Sequence, residues 1–456
     1  MLLGGAPSLV DTTLALMSVV RILRLVAINV AVFCVLAEGL GLALFYNETG
    51  RLFYTFRKTY EPIDARREGR LTGEGLHPYF GPTHRAGSRF DIPENMVESP
   101  APARLTTNNF GFVALQDYPF IKTSPRQYVI GIFGGSVGVW FCQIGAHHLL
   151  DGLRRNAFFK DRDLIPLCFS HEGYKQPQQL LVLAYFLSIG QSFDLVVNID
   201  GFNEVALSSL NDQRGLDISM PSVMHLDPLA NLMNQATLTP EKLQSLAAIG
   251  RYQERVNELI ARMDRTHSAA INFVQRRLYI SALNSYRLET VRFQSLPSNA
   301  AADSLLLATP SVTRRGEPAV FEDIARAWAG SSVLMHTLLT ARGTPYVHVL
   351  QPNQYFTSRS FTPEEARVAR SDVSPFKAGA EKGYPALIHA VTSGALKPVN
   401  FLNAVDAFDE ERAPVYMDDC CHYTLRGNQL LAEVIARHIL GSDGSWNPAS
   451  IHSAAR

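Results

Sequence analysis

A serine hydroxyl, an imidazole and a carboxylate occur in this chain in an order that supports acyl transfer. Ser136 closes the turn Gly134-Gly135-Ser136, where two glycines permit a tight bend and leave room for a substrate at the hydroxyl. A serine is a poor nucleophile until an imidazole takes its proton, and a carboxylate fixes that imidazole's tautomer and steadies its charged form. His422 is the candidate base, and Asp419, three residues earlier, is its candidate partner. Asp418 is the alternative, one register away. Two further positions can aim donors at a developing oxyanion, together with the Ser136 N–H. They are the amide of Asn203, in Asp200-Gly-Phe-Asn-Glu204, and the backbone N–H of Gly173, in Ser170-His-Glu-Gly-Tyr-Lys175. Each signal alone has a plainer reading. Gly-Gly-Ser also makes a phosphate turn or a helix N-cap, Asn203 and Gly173 suit ordinary turns, and Asp-x-x-His occurs in surface loops. No P-loop Lys-Ser/Thr follows Ser136, so nucleotide binding has little support.

The elements that must position these groups alternate between strand and helix. Strand candidates are Tyr128–Phe133, Leu164–Phe169, Leu195–Ile199, Tyr346–Leu350 and Val399–Leu402, and three of the four polar signals follow one of the first three directly. Helical patterns cover Val137–Arg155, Gln176–Ile189, Ile324–Arg342 and Gln429–Leu440. Such alternation predicts a mostly parallel sheet covered on both faces. An insertion at about 208–320 opens a helix at Thr239-Pro240-Glu241, with Val256, Leu259, Ile260 and Met263 on one face. It reads as a helical cap or hairpin beside the catalytic face, or as a packing element. Thr362-Pro-Glu-Glu365 carries a capping box for another helix.

The N-terminus predicts a membrane anchor. Residues 25–46 carry one charge, Glu38, and are long enough to span a bilayer at ~1.5 Å per residue. No small-residue cleavage site follows, which favours an uncleaved anchor over a removed signal peptide. The alternative is a buried helix, which the intramembrane acid keeps open. Arg21 and Arg24 favour a cytoplasmic N-terminal side, whereas Arg51, Arg57 and Lys58 oppose it. The expected location is the inner (cell) membrane, single-pass, with the catalytic domain extracytoplasmic or periplasmic. The chain then divides into a tail (1–24), the anchor (25–46), a collar rich in Pro, Gly, Arg and aromatics (47–125), a catalytic domain (126–441) and a tail (442–456).

Composition excludes little else. Lys+Arg and Asp+Glu balance at 42 each, giving no electrostatic case for nucleic acid. Cys142, Cys168, Cys420 and Cys421 lie outside the apolar segment, and their pairing is open. Cys420-Cys421-His422 lacks paired C-x-x-C spacing, so no metal site and no cofactor is expected.

Ser, Gly, Asn and Asp-x-x-His, in this order after successive strands, resemble the SGNH (GDSL-like) hydrolase superfamily. Gly135-Ser136, Gly173, Gly201-x-Asn203 and Asp419-x-x-His422 stand for its four blocks, over roughly residues 125–440. The family usually has Asp before the serine, where this chain has Gly135, and Asp after the asparagine, where it has Glu204. The resemblance implies a flavodoxin-like three-layer α/β/α fold and a serine esterase acting on carbohydrate or lipid O-acyl esters. An O-acyltransferase for an extracytoplasmic polysaccharide uses the same acyl-enzyme, and an inert carbohydrate-binding or assembly protein would use the same cleft. His171, Lys175 and Tyr423 are possible substrate contacts.

Overall fold

The computed structural model describes residues 9–55, 60, 74–91, 104–226, 239–297, 316–317 and 319–441. In chain order the elements begin with α1 (Leu9–Thr49). Two short antiparallel pairs follow, β1 (Glu74–His77) with β2 (Gly81–His84) and β3 (Arg89–Asp91) with β4 (Arg104–Thr106). Next come β5 (Gln127–Gly134), α2 (Ser136–Trp140), α3 (Ala146–Arg154), α4 (Ala157–Lys160), β6 (Asp163–Ser170), α5 (Gln178–Ser188), β7 (Leu195–Asp200) and α6 (Phe202–Gln213). A helical hairpin, α7 (Pro240–Arg265) and α8 (Ala269–Ser295), precedes α9 (Ala319–Thr340) and β8 (Tyr346–Leu350). The last elements are α10 (Pro363–Ala369), α11 (Lys377–Thr392), β9 (Asn400–Asn403) and α12 (Leu425–Leu440).

The chain forms two compact units, Met1–Gly69 with Leu238–Ala300, and Arg70–Thr237 with Ala301–Arg456. The larger unit is α/β. Its five strands are all parallel and ordered β6-β5-β7-β8-β9. All residues of β7 and β8 are buried, and because successive side chains alternate between faces, both sides of the sheet are covered. The five strands coincide with the five apolar runs read from the sequence. The order turns at β5, whose neighbours lead outward in opposite directions. Gly134 at its end lies level with Ser170 of β6 and Ile199 of β7, so three strand ends stand side by side.

Threonine caps set several helix starts. The hydroxyls of Thr239, Thr362 and Thr424 accept the N–H of Lys242, Glu365 and Gly427, satisfying donors the first turn leaves open. The cap at Thr424 starts α12 one turn before the expected Gln429. The single helix expected over 137–155 is interrupted by a π-helical turn, Phe141–Gly145. That turn carries Cys142, which is disulfide-bonded to Cys168 of β6 with Cα atoms 5.8 Å apart. In the collar, His77 stacks on Phe80 at 3.6 Å, and Asn108 accepts the N–H groups of Phe110 and Phe112. Phe80 and Phe112 belong to the main core. The expected collar is therefore not one segment: its described part from Glu74 onward belongs to the sheet unit.

In the smaller unit, α1 contains one stretch, Val20–Glu48, long and apolar enough to cross a membrane. Helix already runs from Leu9, so the expected tail at 1–24 is helical over its described part. The hairpin groups with α1 in this unit rather than with the sheet. The physical reason is Glu38. Its carboxylate accepts the hydroxyls of Tyr54 and Ser268 and the N–H groups of Ala269 and Ala270, capping the positive end of α8. The expected tail at 442–456 lies outside the described residues.

Candidate active site

The ends of β5, β6 and β7 bring together the groups singled out in the sequence. Ser136 is the first residue of α2, immediately past Gly135, and is 8% exposed. Its Oγ lies 2.7 Å from Nε2 of His422. The opposite ring nitrogen, Nδ1, is hydrogen-bonded to a carboxylate oxygen of Asp418. A carboxylate can only accept, so Nδ1 carries the proton and Nε2 is left to accept from the Ser136 hydroxyl.

The orienting acid is Asp418, and this corrects the assignment of Asp419. The reason is local. Residues 415–424 form a small hairpin closed by the Tyr416–Tyr423 bridge and by Thr424 N–H to the Val415 carbonyl. Inside it, Oδ1 of Asp418 accepts the N–H groups of Cys420, Cys421 and His422 at 3.0, 3.1 and 3.2 Å. The carboxylate is folded over its own turn, which leaves Oδ2 against the imidazole. Asp419 contributes its backbone instead: its carbonyl accepts the hydroxyls of Tyr355 and Ser374 at 2.7 and 3.1 Å. Burial would raise the Asp418 carboxyl, but the His422 hydrogen bond, its charge and the backbone N–H groups outweigh burial and hold it below the ordinary 3.8.

Asn203 lies in the first turn of α6, and its amide donates to the Tyr174 carbonyl at 2.8 Å. One amide hydrogen of the NH₂ group is thereby fixed, and the other is available to a ligand. The same amide explains Gly135. A Cβ there would lie 2.1 Å from Asn203 Nδ2 and 3.0 Å from the Tyr174 carbonyl, so no side chain fits between nucleophile and amide. Gly173 sits in the turn after β6, where Tyr174 N–H bonds the His171 carbonyl.

Glu204 is the residue whose role the sequence did not reveal. Its two oxygens accept Gly201 N–H at 2.7 Å and Gln176 N–H at 2.8 Å. It therefore ties the turn bearing Asn203 to the loop bearing Gly173. Burial first, and then the neighbouring Asp200 carboxylate, push its carboxyl up to about 8, against the pull of those N–H groups. The signal in the sequence was Glu at the third helical position after Gly201, the place of a capping acid.

The three possible substrate contacts are structural. Lys175 is fully buried and its ammonium donates to the Ile218 carbonyl, burial lowering it to about 8. The His171 ring is buried, with Nδ1 bonded to the Glu172 carbonyl. Tyr423 is 1% exposed and donates to the Pro352 carbonyl at 2.6 Å.

Two groups have metal-ligand chemistry among the described residues: Cys420, Cys421 and His422, and His84, His171 and Glu172. In the first, both His422 nitrogens already serve Ser136 and Asp418. The two thiols form no disulfide but hydrogen-bond each other at 3.4 Å, and burial together with Cys420 pushes the Cys421 thiol well above its ordinary value. In the second, His84 Nε2 and Glu172 bond each other directly at 2.8 Å.

A second Ser–His–Asp array lies inside the sheet unit. Ser332 Oγ is 2.7 Å from His348 Nδ1, and His348 Nε2 is 2.6 Å from Asp200. Trp328 and Asn198 also donate to Asp200, each at 2.7 Å. Ser332, His348 and Asp200 are at most 1% exposed, so the array packs α9, β8 and β7 together and faces no substrate. No protein-family model matches the chain, and no curated protein is significantly similar to it in sequence.

Proposed function

We propose that the sheet unit is an SGNH-type serine esterase acting on carbohydrate or lipid O-acyl esters, held at a membrane by α1. The observation that carries this reading is the hydrogen-bonded line from Asp418 through His422 to Ser136 at the shared strand ends. The strand order supports it, because counted along the chain it is 2-1-3-4-5, the flavodoxin-like order, with Ser136 and Asn203 following the two strands at the switch point. The Cys142–Cys168 disulfide favours an oxidising, extracytoplasmic location for this unit.

In this mechanism, Ser136 Oγ attacks the ester carbonyl as its proton passes to Nε2 of His422. Asp418 stabilises the imidazolium. Negative charge gathers on the former carbonyl oxygen, for which the Ser136 N–H, the Gly173 N–H and the Asn203 amide are the donors. Collapse breaks the ester C–O bond, the leaving oxygen takes the proton from His422, and an acyl-serine remains. Water, or an acceptor hydroxyl in a transferase, then loses a proton to His422 and attacks the acyl carbon. The proton returns to Ser136 as the acid or new ester departs.

The test is labelling with a serine-directed fluorophosphonate. The wild type is expected to label, and the Ser136→Ala and His422→Ala variants are not. Equal labelling of a folded Ser136→Ala variant sinks the proposal. Acetyl release with and without an oligosaccharide acceptor then separates hydrolysis from transfer.

A further inference from the structure

We propose that the tip of the α7–α8 hairpin rests on the surface of the bilayer that α1 enters. In this arrangement Arg262 and Arg265, at the tip, lie among anionic headgroups, and Ile271 meets the boundary between headgroups and acyl chains beside them. The inference rests on reading α1 as a membrane anchor.

The geometry within the smaller unit fixes the level. Residues 20–36 of α1 are all exposed and span about 26 Å at ~1.5 Å per residue, close to a hydrocarbon core of roughly 30 Å. Arg21 and Arg24 stand at their far end, where long side chains reach the opposite headgroups. Cover begins at residue 37, and the hairpin tip supplies it. Ser268, Ala269 and Ala270 all bond Glu38. A Cβ on Gly41 would lie 2.4 Å from the Ala270 nitrogen, so the helix backbones approach closely there. Further along, Arg276 and Arg277 both pair with Glu48. As residue numbers rise together on the two helices, α8 runs in the same direction as α1 and away from the bare stretch. The tip therefore stands where the bare stretch ends.

Side-chain chemistry selects the same depth. Ile271, on the first turn of α8, is 54% exposed, and Val274 and Leu278 follow on the same face about 5 and 10 Å further from the tip. A deeper seat would draw the exposed Arg262, Asp264 and Arg265 into hydrocarbon, where charged side chains are costly. A shallower one would leave Ile271 and both guanidinium groups in water. At the interface Ile271 is covered and the guanidinium groups meet lipid phosphates, which they bind in a fork.

The test uses the full chain carrying an environment-sensitive fluorescent amino acid at position 271 or, separately, at 288. Leu288 is 72% exposed on the same helix but about 26 Å further from the tip. The protein is reconstituted into phosphatidylcholine–phosphatidylglycerol vesicles containing lipids with a quencher near the headgroup end of the acyl chain. Quenching at 271 is expected to exceed that at 288 several-fold, and the excess is expected to shrink when Arg262→Glu and Arg265→Glu are combined. Equal quenching at 271 and 288 in protein that floats with the vesicles overturns the inference alone. Protein that does not float overturns the anchor, and the inference with it.

Discussion

Replacing Asp418 by Asn probes the proposed chemistry where sequence and structure diverge. Asn keeps an oxygen for the N–H groups of Cys420, Cys421 and His422, the three bonds that shape the turn. It also sets an amide N–H against Nδ1 of His422, where a carboxylate oxygen now sits. Nδ1 must then accept, and the ring proton moves to Nε2, the nitrogen that faces Ser136. A base already protonated toward the nucleophile cannot take its proton. The expected loss in kcat is roughly a thousand- to ten-thousand-fold, or about 4–5 kcal/mol of transition-state stabilisation. The Asp419→Asn variant keeps the backbone carbonyl that Tyr355 and Ser374 bond, so its rate should stay within about threefold of wild type, under ~0.7 kcal/mol. The assay is hydrolysis of a chromogenic acetyl ester by purified protein, with melting curves confirming that each variant is folded. Asp418→Asn within tenfold of wild type, or Asp419→Asn the more damaged of the two, would refute the reasoning.

Two further outcomes follow from the same geometry. Gly135→Ala puts a methyl group 2.1 Å from the Asn203 amide, displacing a donor of the kind worth about 2.7–4 kcal/mol. kcat should fall roughly a hundred- to a thousand-fold with KM nearly unchanged, and a wild-type kcat would remove Asn203 from the oxyanion site. Glu204, raised from its ordinary 4.5 to about 8, holds a proton in the folded protein that the unfolded chain releases. Its contribution to stability is therefore complete below pH 4.5 and is lost as pH rises through about 8. Glu204→Gln should flatten the decline in Tm over that window, whatever its effect on Tm itself, and an unaltered slope would refute the shift.

Much of the scaffold was legible because its signals are local. The five apolar runs were too short for helices and ended in glycine or polar turns, and the sheet contains those five strands. Thr239 and Thr362, each followed by proline and acid, marked helix starts that depend only on the first turn. The unread features depend on contacts between distant segments. Asp418 and Asp419 are adjacent and chemically identical, and only the fold of the 415–424 hairpin decides which carboxylate meets His422. The hairpin's amphipathic pattern shows that it packs, not on what. Its partner is Glu38, more than two hundred residues earlier, whose presence in an apolar helix was the one oddity pointing to such an arrangement. The buried array of Ser332, His348 and Asp200 left no mark, because each residue is unremarkable in its own strand or helix.

That buried array gives the molecule an internal reference for reactivity. The same three side-chain types occur twice within one unit, with similar hydrogen-bond lengths, so composition and alignment do not distinguish them. Reachability does. Ser136 stands at the rim of the sheet, whereas Ser332 is sealed and would be reached only by opening the core, which would also pull His348 and Asp200 away from it. A hydroxyl-directed reagent should therefore attach once per chain in the native protein. Its second site should stay silent on unfolding too, since the event that admits the reagent dismantles the base.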